Sequence, residues 1–443
     1  MNTGSENVSL KRQFGLWTAV SVIVGQVIAV GIFLTPAGMA KSVASPFWLL
    51  VVWLLLGAQT LAGALCYAEL AARYPQAGGT YVYLREAYGR LAAFLYGWMV
   101  LLVLDPGLTA VFGVGTAAYA AYLIPTTQVE KQIIAIGVIV VIGVINILGA
   151  KLGMGFLKVL TVLKVGALLF IILYGFGGRF GDVTNFTPFF VKPPDMFGAL
   201  AGGIVGAFFA FAGWWEMTRV AGEIEDPRKN VPRALVLGVL IITALYVLTS
   251  AAFMYLVPIA NVTNDETFAA QAGEALFGRA GGYVFSAVVI VSLLGTLFAY
   301  MMVSPRVYFA MARDGLFFPS FGRLHPRFGT PHRATYVQIL IAGLLVLSGS
   351  FDQIVSYFFF VVVLFIAFSI AGLFIIRKRE FDGYKTPLFP LTPVFFLALT
   401  AVVLFFVALR SPMNAAAGVV VVIIGIPVYY LFFRSTAVSL EAE

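Results

Sequence analysis

Cysteine, histidine and charge are all scarce in this chain. Its 443 residues include one cysteine, two histidines and 11% charged residues, against about 25% charge in an ordinary soluble domain. The single thiol, Cys66, excludes an internal disulfide. It lies in an apolar run, so no loop offers a thiol to a partner subunit. His325 and His332 share one polar loop with no metal-ligand spacing around them. No Gly-rich loop followed by Lys-Ser/Thr is present, which excludes a P-loop nucleotide-driven pump. A Ser/His/Asp set, the arginine ladder of a voltage sensor and a carbonyl-lined filter sequence are missing too. Neither an enzyme nor a cofactor is implied.

What is abundant is hydrophobic surface, at 61% of residues. A bilayer span needs about 20 mostly apolar residues, and about 12 such runs can be placed. They fall at 14–40, 47–71, 91–123, 130–149, 154–177, 197–221, 233–257, 280–312, 333–350, 354–376, 388–409 and 413–433. The period-two alternation of an outer-membrane barrel is absent, so the expected fold is an all-α polytopic membrane protein of 12 transmembrane helices. The net charge of +8 marks topology rather than nucleic acid. With the N-terminus inside, Arg73, Arg85, Arg90, Arg313, Arg377 and Arg379 fall in cytoplasmic loops with many others. Only Lys41, Lys131, Arg179, Lys192, Arg279 and Arg410 fall outside. That asymmetry predicts a multi-pass protein of the inner or plasma membrane with both tails, 1–13 and 434–443, cytoplasmic. The apolar stretch after residue 13 is too long for a cleaved signal peptide. The outside segment 258–279, with Asp265, Glu266 and Glu274, could form a short helix on the external face.

Two spans are interrupted by glycine. One reads Val24-Gly25-Gln26-Val27-Ile28-Ala29-Val30-Gly31-Ile32-Phe33, with Pro36 just beyond as a second weak point. The other runs from Gly206 to Trp215. Glycine costs about 1 kcal/mol against alanine inside a helix, and small residues also serve ordinary helix packing. A break inside the bilayer is tolerated only where the backbone is buried in protein or lines a wet cavity. A matched pair of broken spans, the first and the sixth, points to a solute site between two halves of opposite orientation. The expectation is a 5+5 inverted repeat, about 14–177 and 197–376, with two extra helices over 388–433 in one domain spanning 14–433. Phe208, Phe209, Phe211, Trp214 and Trp215 crowd the second break. They could face lipid, or Phe209 or Phe211 could stack over a bound apolar group as a lid.

Four charges lie where lipid should be. Lys164 sits inside span five, and an intramembrane charge marks function by default. It could exchange a proton, or its ammonium could stand where a coupling Na⁺ would bind. Snorkelling suits Lys158 better. Asp105 precedes Pro106-Gly107 midway along span three, as a structural counter-ion, a neutral acid or a proton carrier. Glu216 and Arg219, three residues apart, are placed to pair with each other.

Taken in order, these segments resemble the amino acid–polyamine–organocation superfamily, and within it the L-type and bacterial amino acid permeases. The resemblance covers all the spans. It rests on Gly31-Ile32-Phe33 with Thr35-Pro36; on Ala68-Glu69-Leu70, Tyr74-Pro75 and Gly78-Gly79-Thr80-Tyr81; and on Phe209-Ala210-Phe211-Ala212-Gly213-Trp214. Glu223-Ile224-Glu225-Asp226-Pro227 and Arg313-Asp314-Gly315 complete it. The resemblance implies the fold of sodium-coupled amino acid transporters and a zwitterionic substrate at the two breaks. Its carboxylate would meet N–H groups at Ala29, Val30 and Gly31. Its ammonium would meet carbonyls near Val27, Phe209 and Ala212, with Ile28, Ala210, Phe211 and Gly213 completing the site. Phe209 aligns with the gating aromatic and Trp214 joins it as a gate. Lys164 aligns with the span-five lysine that replaces a sodium site, and Asp105 is carried as a second coupling residue.

The implied function is sodium-independent secondary transport of a neutral amino acid by alternating access, through exchange or proton coupling. Ala29 and Val30, where Gly and Ser are common, and Phe298, where relatives carry a small or amide residue, suggest a narrow, greasy pocket and a small or apolar substrate. Relatives that pair with a glycoprotein use a loop cysteine between spans three and four. Residues 124–131 have none, so no disulfide-linked partner is expected. The alternatives are a polyamine or cationic amino acid permease, which would want pocket carboxylates, and a non-transporting nutrient sensor on the same fold.

Overall fold

The computed structural model describes residues 12–178, 180–262, 268–348 and 351–434. Asp265 and Glu266 therefore lie outside the described residues, as do the side chain of Lys158 and the greater part of both tails. The chain opens with α1 (Leu16–Val27) and α2 (Val30–Val43), followed by α3 (Pro46–Arg73) and the short α4 (Thr80–Tyr88). Next come α5 (Arg90–Met99), α6 (Asp105–Leu123), α7 (Gln128–Leu148) and α8 (Ala150–Gly177). The second half runs through α9 (Met196–Phe211), a 3₁₀ helix (Trp214–Glu223), α10 (Pro227–Leu256), α11 (Phe268–Phe277), α12 (Arg279–Val303) and α13 (Pro305–Arg313). It closes with α14 (His332–Ser348), α15 (Phe351–Ile376), α16 (Leu391–Arg410) and α17 (Pro412–Phe432). Ten helical stretches among the described residues are long and apolar enough to cross a membrane, accompanied by the shorter apolar helices Leu16–Val27 and His332–Ser348. No strand forms among the described residues, where Phe14 and Ile224 make an isolated bridge.

The chain is an all-helical, multi-pass membrane protein. Leucines, valines and phenylalanines such as Leu173, Leu340, Leu347 and Phe405 cover the outer faces, as expected where the solvent is lipid. Small residues let helices approach inside. A Cβ on Gly57 would lie 2.4 Å from the Thr243 side chain, at the close crossing of α3 and α10.

Each end of the bundle is tied by its own loops. At one end both Glu69 oxygens are taken: Arg73 Nη2 donates at 2.9 Å, Arg377 Nη2 at 2.7 Å and the Thr386 amide at 2.7 Å. Arg379 reaches Glu86 at 3.1 Å, and Arg85 contacts Asp314. The N-terminal segment joins the same end through Gln13 and Phe14 amides on the Glu223 carbonyl. At the other end the Phe47 amide donates to the Phe189 carbonyl and the Asp182 amide to the Tyr255 carbonyl.

Span three contains a π-helical turn, Val100–Leu104, where the Asp105 amide donates to the Val100 carbonyl five residues back. Pro106 follows at once, and its lack of an N–H favours such a bulge. Pro36, by contrast, is accommodated inside α2.

Candidate functional site

The first interruption is narrower than the glycine pattern suggested. Gly25 stays helical, and the break falls at Ile28 (ψ 81°) and Ala29 (φ −131°, ψ −141°). The Ala29 amide turns back onto the Val27 carbonyl at 2.8 Å. Of the three N–H groups expected to face an anion, Ala29 is therefore engaged locally. Val30 and Gly31 open α2, where the first amides have no intrahelical acceptor. The second break falls at Ala212 (ψ 149°) and Gly213, whose φ of +103° disfavours any side chain. Gly31 is fixed for a different reason. A Cβ there would sit 2.5 Å from Ala210 Cα and 3.0 Å from its carbonyl oxygen, so the two broken segments touch backbone to backbone.

Carbonyls freed by the breaks find partners from three other helices. Lys164 of α8, 1% exposed, donates from Nζ to the carbonyls of Gly25 (2.8 Å) and Ile28 (2.9 Å) and to Thr296 Oγ1 of α12 (2.8 Å). Three oxygens match the three donors of an ammonium. Ser292 adds a 3.3 Å bond to the Ile28 carbonyl. The Tyr246 hydroxyl of α10 contacts the carbonyls of Val27 (2.7 Å) and Ala210 (3.1 Å), spanning both breaks. Tyr246, Ser292 and Thr296 were not picked out from the sequence. Their signal was there, as hydroxyls in otherwise apolar spans, with Ser292 and Thr296 spaced by four.

Asp105, Glu216 and Arg219 meet in one buried cluster. Asp105 accepts from Arg219 Nη1 at 2.9 Å and Tyr300 at 2.7 Å, and also from Tyr308. It is saturated as a counter-ion, which favours the structural alternative over a mobile proton carrier. Arg219 Nε lies 2.6 Å from Glu216 Oε2, the pairing expected from their spacing. The contact lacks hydrogen-bond alignment, so both Glu216 oxygens accept no hydrogen bond among the described residues.

A cavity of about 50 Å³ lies against both breaks. Val27, Ala29 and Gly31 line it from the first, and Phe209, Ala210, Ala212 and Gly213 from the second. Leu104, Leu108 and Phe112 close one wall, and Phe359, Val362 and Val363 another. Four sequence expectations are corrected here. Ile28 and Phe211 are not among the lining residues: Ile28 is fully buried, and Phe211 packs against Trp53 and Tyr246. Trp214 turns away from the cavity to pack on Tyr67 and Phe396, and its neighbour Trp215 takes the lining position. Phe298 is buried without lining the cavity, whose narrowing comes instead from Phe112, Tyr300 and Phe359. Phe209 lines the cavity with its ring 5.9 Å from that of Phe359.

Apolar helices whose interruptions line a small chamber, with buried charges gathered around it, define a multi-pass membrane protein with an internal cavity at its broken helices. The chain belongs to the amino acid permease family, which residues 14–433 match. It is 33% identical to the serine/threonine exchanger SteT of Bacillus subtilis over 96% of this chain and 98% of that one. It is 31% identical to Asc-type amino acid transporter 1 of Mus musculus, covering 97% and 83% of the two chains. With the cystine/glutamate transporter of Homo sapiens it shares 30% identity over 97% and 87%.

Proposed function

We propose that this protein is a sodium-independent exchanger of small neutral amino acids, working by alternating access around the two breaks. The observation that carries the reading is the shared chamber between Val27–Gly31 and Phe209–Gly213. Their backbone groups are the recognition surface for a zwitterion: amides of Val30 and Gly31 for the carboxylate, at the positive end of α2, and carbonyls near Val27, Phe209 and Ala212 for the ammonium. Phe209 is the gate, facing Phe359. About 50 Å³ is room for roughly four waters at 10–15 Å³ each, which suits a small substrate. Lys164 holds the carbonyls that a sodium ion would otherwise coordinate, which supports coupling to a counter-substrate or a proton instead of Na⁺.

The proposed architecture is 12 spans, with α1–α2 and α9 plus the 3₁₀ helix as the first and sixth, and a repeat relating 14–177 to 197–376. Its support is the pairing of helices: α2 packs on α9, α3 on α10, α6 on α12 and α7 on α14, so that four spans of the first half lie against their counterparts in the second, as helices near a pseudo-two-fold axis do. Helices over 388–433 are appended. Basic loops that meet around Glu69 support cytoplasmic placement of both termini in the inner or plasma membrane. A loop free of cysteine at 124–131 argues for function without a disulfide-linked partner. Purified protein in liposomes tests the reading: radiolabelled serine should enter only vesicles preloaded with amino acid, at equal rates in sodium and choline buffers. Entry that requires sodium, or specific binding with no flux at all, would defeat it.

A further inference from the structure

The chamber is largely apolar, but two polar side chains on its lining are poorly satisfied: Gln26 has no hydrogen-bond partner among the described residues, and Glu216 is held by its ion pair with Arg219 alone. Gln26 is 4% exposed and Glu216 1%, and both line the cavity. Neither the amide oxygen nor the amide nitrogen of Gln26 has a hydrogen-bond partner among the described residues, and neither carboxylate oxygen of Glu216 accepts a hydrogen bond there. Buried polar groups are almost always satisfied, and the exceptions call for an explanation. Trp215 shares the lining with them.

Their placement explains what they can serve. Gln26 is the penultimate residue of α1, just before the first break, and Glu216 is the third residue of the 3₁₀ helix, just after the second. Gly213 lies between: the nearest atoms to a Cβ built there would be Gln26 Cβ and a Val27 methyl at 3.9 Å. Both side chains thus sit on the half-helices that leave the breaks toward the Glu223 end of the bundle, beside the backbone groups that hold the zwitterion. The Asp105 oxygens are occupied by Arg219, Tyr300 and Tyr308. Glu216 shares the same guanidinium only through a misaligned contact.

We propose that Gln26 and Glu216 form a side-chain subsite for a hydroxyl, so that the preferred substrates are small hydroxy-amino acids. This rests on the exchanger reading above and refines it. A hydroxyl is one donor and one acceptor in a single small group. It donates to Glu216 and accepts from Gln26 Nε2, which answers both vacant valences within a chamber too small for a long cationic chain. An acidic side chain would meet Glu216 with like charge. A methyl in place of the hydroxyl leaves the buried groups unpaired, the situation in which sites discriminate most strongly.

The test compares L-serine with L-alanine, and L-threonine with its isostere L-valine, by thermal-shift titration of purified protein and by exchange in liposomes. Wild-type protein should favour each hydroxylated member by at least about tenfold. Gln26→Leu and Glu216→Gln should each compress that ratio, and the pair together should bring it close to one. Gln26→Leu lies outside the ion-pair cluster, so it reads the subsite even if the Glu216 variant fails to fold. Binding and flux with no hydroxyl preference, or a preference that survives Gln26→Leu unchanged, overturns the subsite and leaves the exchanger reading standing. Absence of both binding and flux for all four amino acids overturns the exchanger reading, and the subsite with it.

Discussion

Replacement of Lys164 gives the sharpest check on how the first break is held. Its Nζ makes three bonds, at 2.8, 2.9 and 2.8 Å, to Gly25 O, Ile28 O and Thr296 Oγ1. Hydrogen bonds from a charged donor contribute about 1.5–3 kcal/mol each, or about 4–9 kcal/mol together. Deleting the ammonium also relieves its own desolvation, several kcal/mol for a buried ion. The net loss is about 3 kcal/mol, which is roughly a hundredfold in the population of the binding-competent break. Lys164→Met, which keeps the volume, should therefore exchange substrate at about one hundredth of the wild-type rate in liposomes while eluting as folded protein. Lys164→Ala leaves room beside four oxygens, Gly25 O, Ile28 O, Ser292 Oγ and Thr296 Oγ1, a hard-oxygen set. Sodium should recover part of its flux and none of that of Lys164→Met. Wild-type flux in both variants, with an unchanged pH dependence, would refute the role assigned to Lys164 as holder of the break.

Gly31→Ala drives a methyl into the Ala210 backbone at 2.5 Å. Overpacking of that kind costs about 1–3 kcal/mol, and thermal unfolding in detergent should show it together with lost binding. Asp105→Asn keeps the shape of its site but weakens three hydrogen bonds, at about 2 kcal/mol. Arg219→Ala strands two buried carboxylates, at about 3–5 kcal/mol. Arg219→Ala should therefore unfold at the lower temperature of the two, and the reverse order would refute the cluster as drawn. Tyr246→Phe releases the Val27 and Ala210 carbonyls, at about 1.4 kcal/mol, so exchange should fall about tenfold with little change in expression.

Much of this was legible because the signals were coarse. Twenty-residue apolar runs announce membrane helices by length alone, and span limits such as 91–123 and 388–409 lie within a few residues of the helix ends. The segments that break stood out because glycine is costly in a helix and occurred where no loop was wanted, though the first bend falls at Ile28 and Ala29 and not at a glycine. Lys164 was legible because a charge in lipid has few reasons to exist. The partners of these residues were not. Tyr246, Ser292 and Thr296 are unremarkable hydroxyls until a bent backbone 219 to 271 residues away supplies carbonyls for them. Sequence shows that a group is needy and says little about what meets the need across the bundle.

Which residue of an adjacent pair faces the chamber is a finer question, set by helix phase. One step along an α-helix turns a side chain by about 100°, and along a 3₁₀ helix by about 120°. The segment after the second break winds as a 3₁₀ helix, so an α-helical reading of it drifts by about 20° per residue. Trp214 is then held against α3 and α16: a Cβ on Gly63 would lie 2.6 Å from the Phe396 ring and 2.8 Å from the Trp214 ring. With Trp214 drawn to that notch, Trp215 and Glu216 fall on the chamber side. The same winding places residues three apart in register, which brings Glu216 alongside Arg219 at 2.6 Å. The chamber's polar corner thus depends on a missing methyl group in a different helix. A bulkier residue at position 63, as in Gly63→Val, should displace Trp214, rotate the 3₁₀ segment and change substrate preference from a distance. Transport selectivity unchanged in a folded Gly63→Val protein would show that the phase of this segment is set elsewhere.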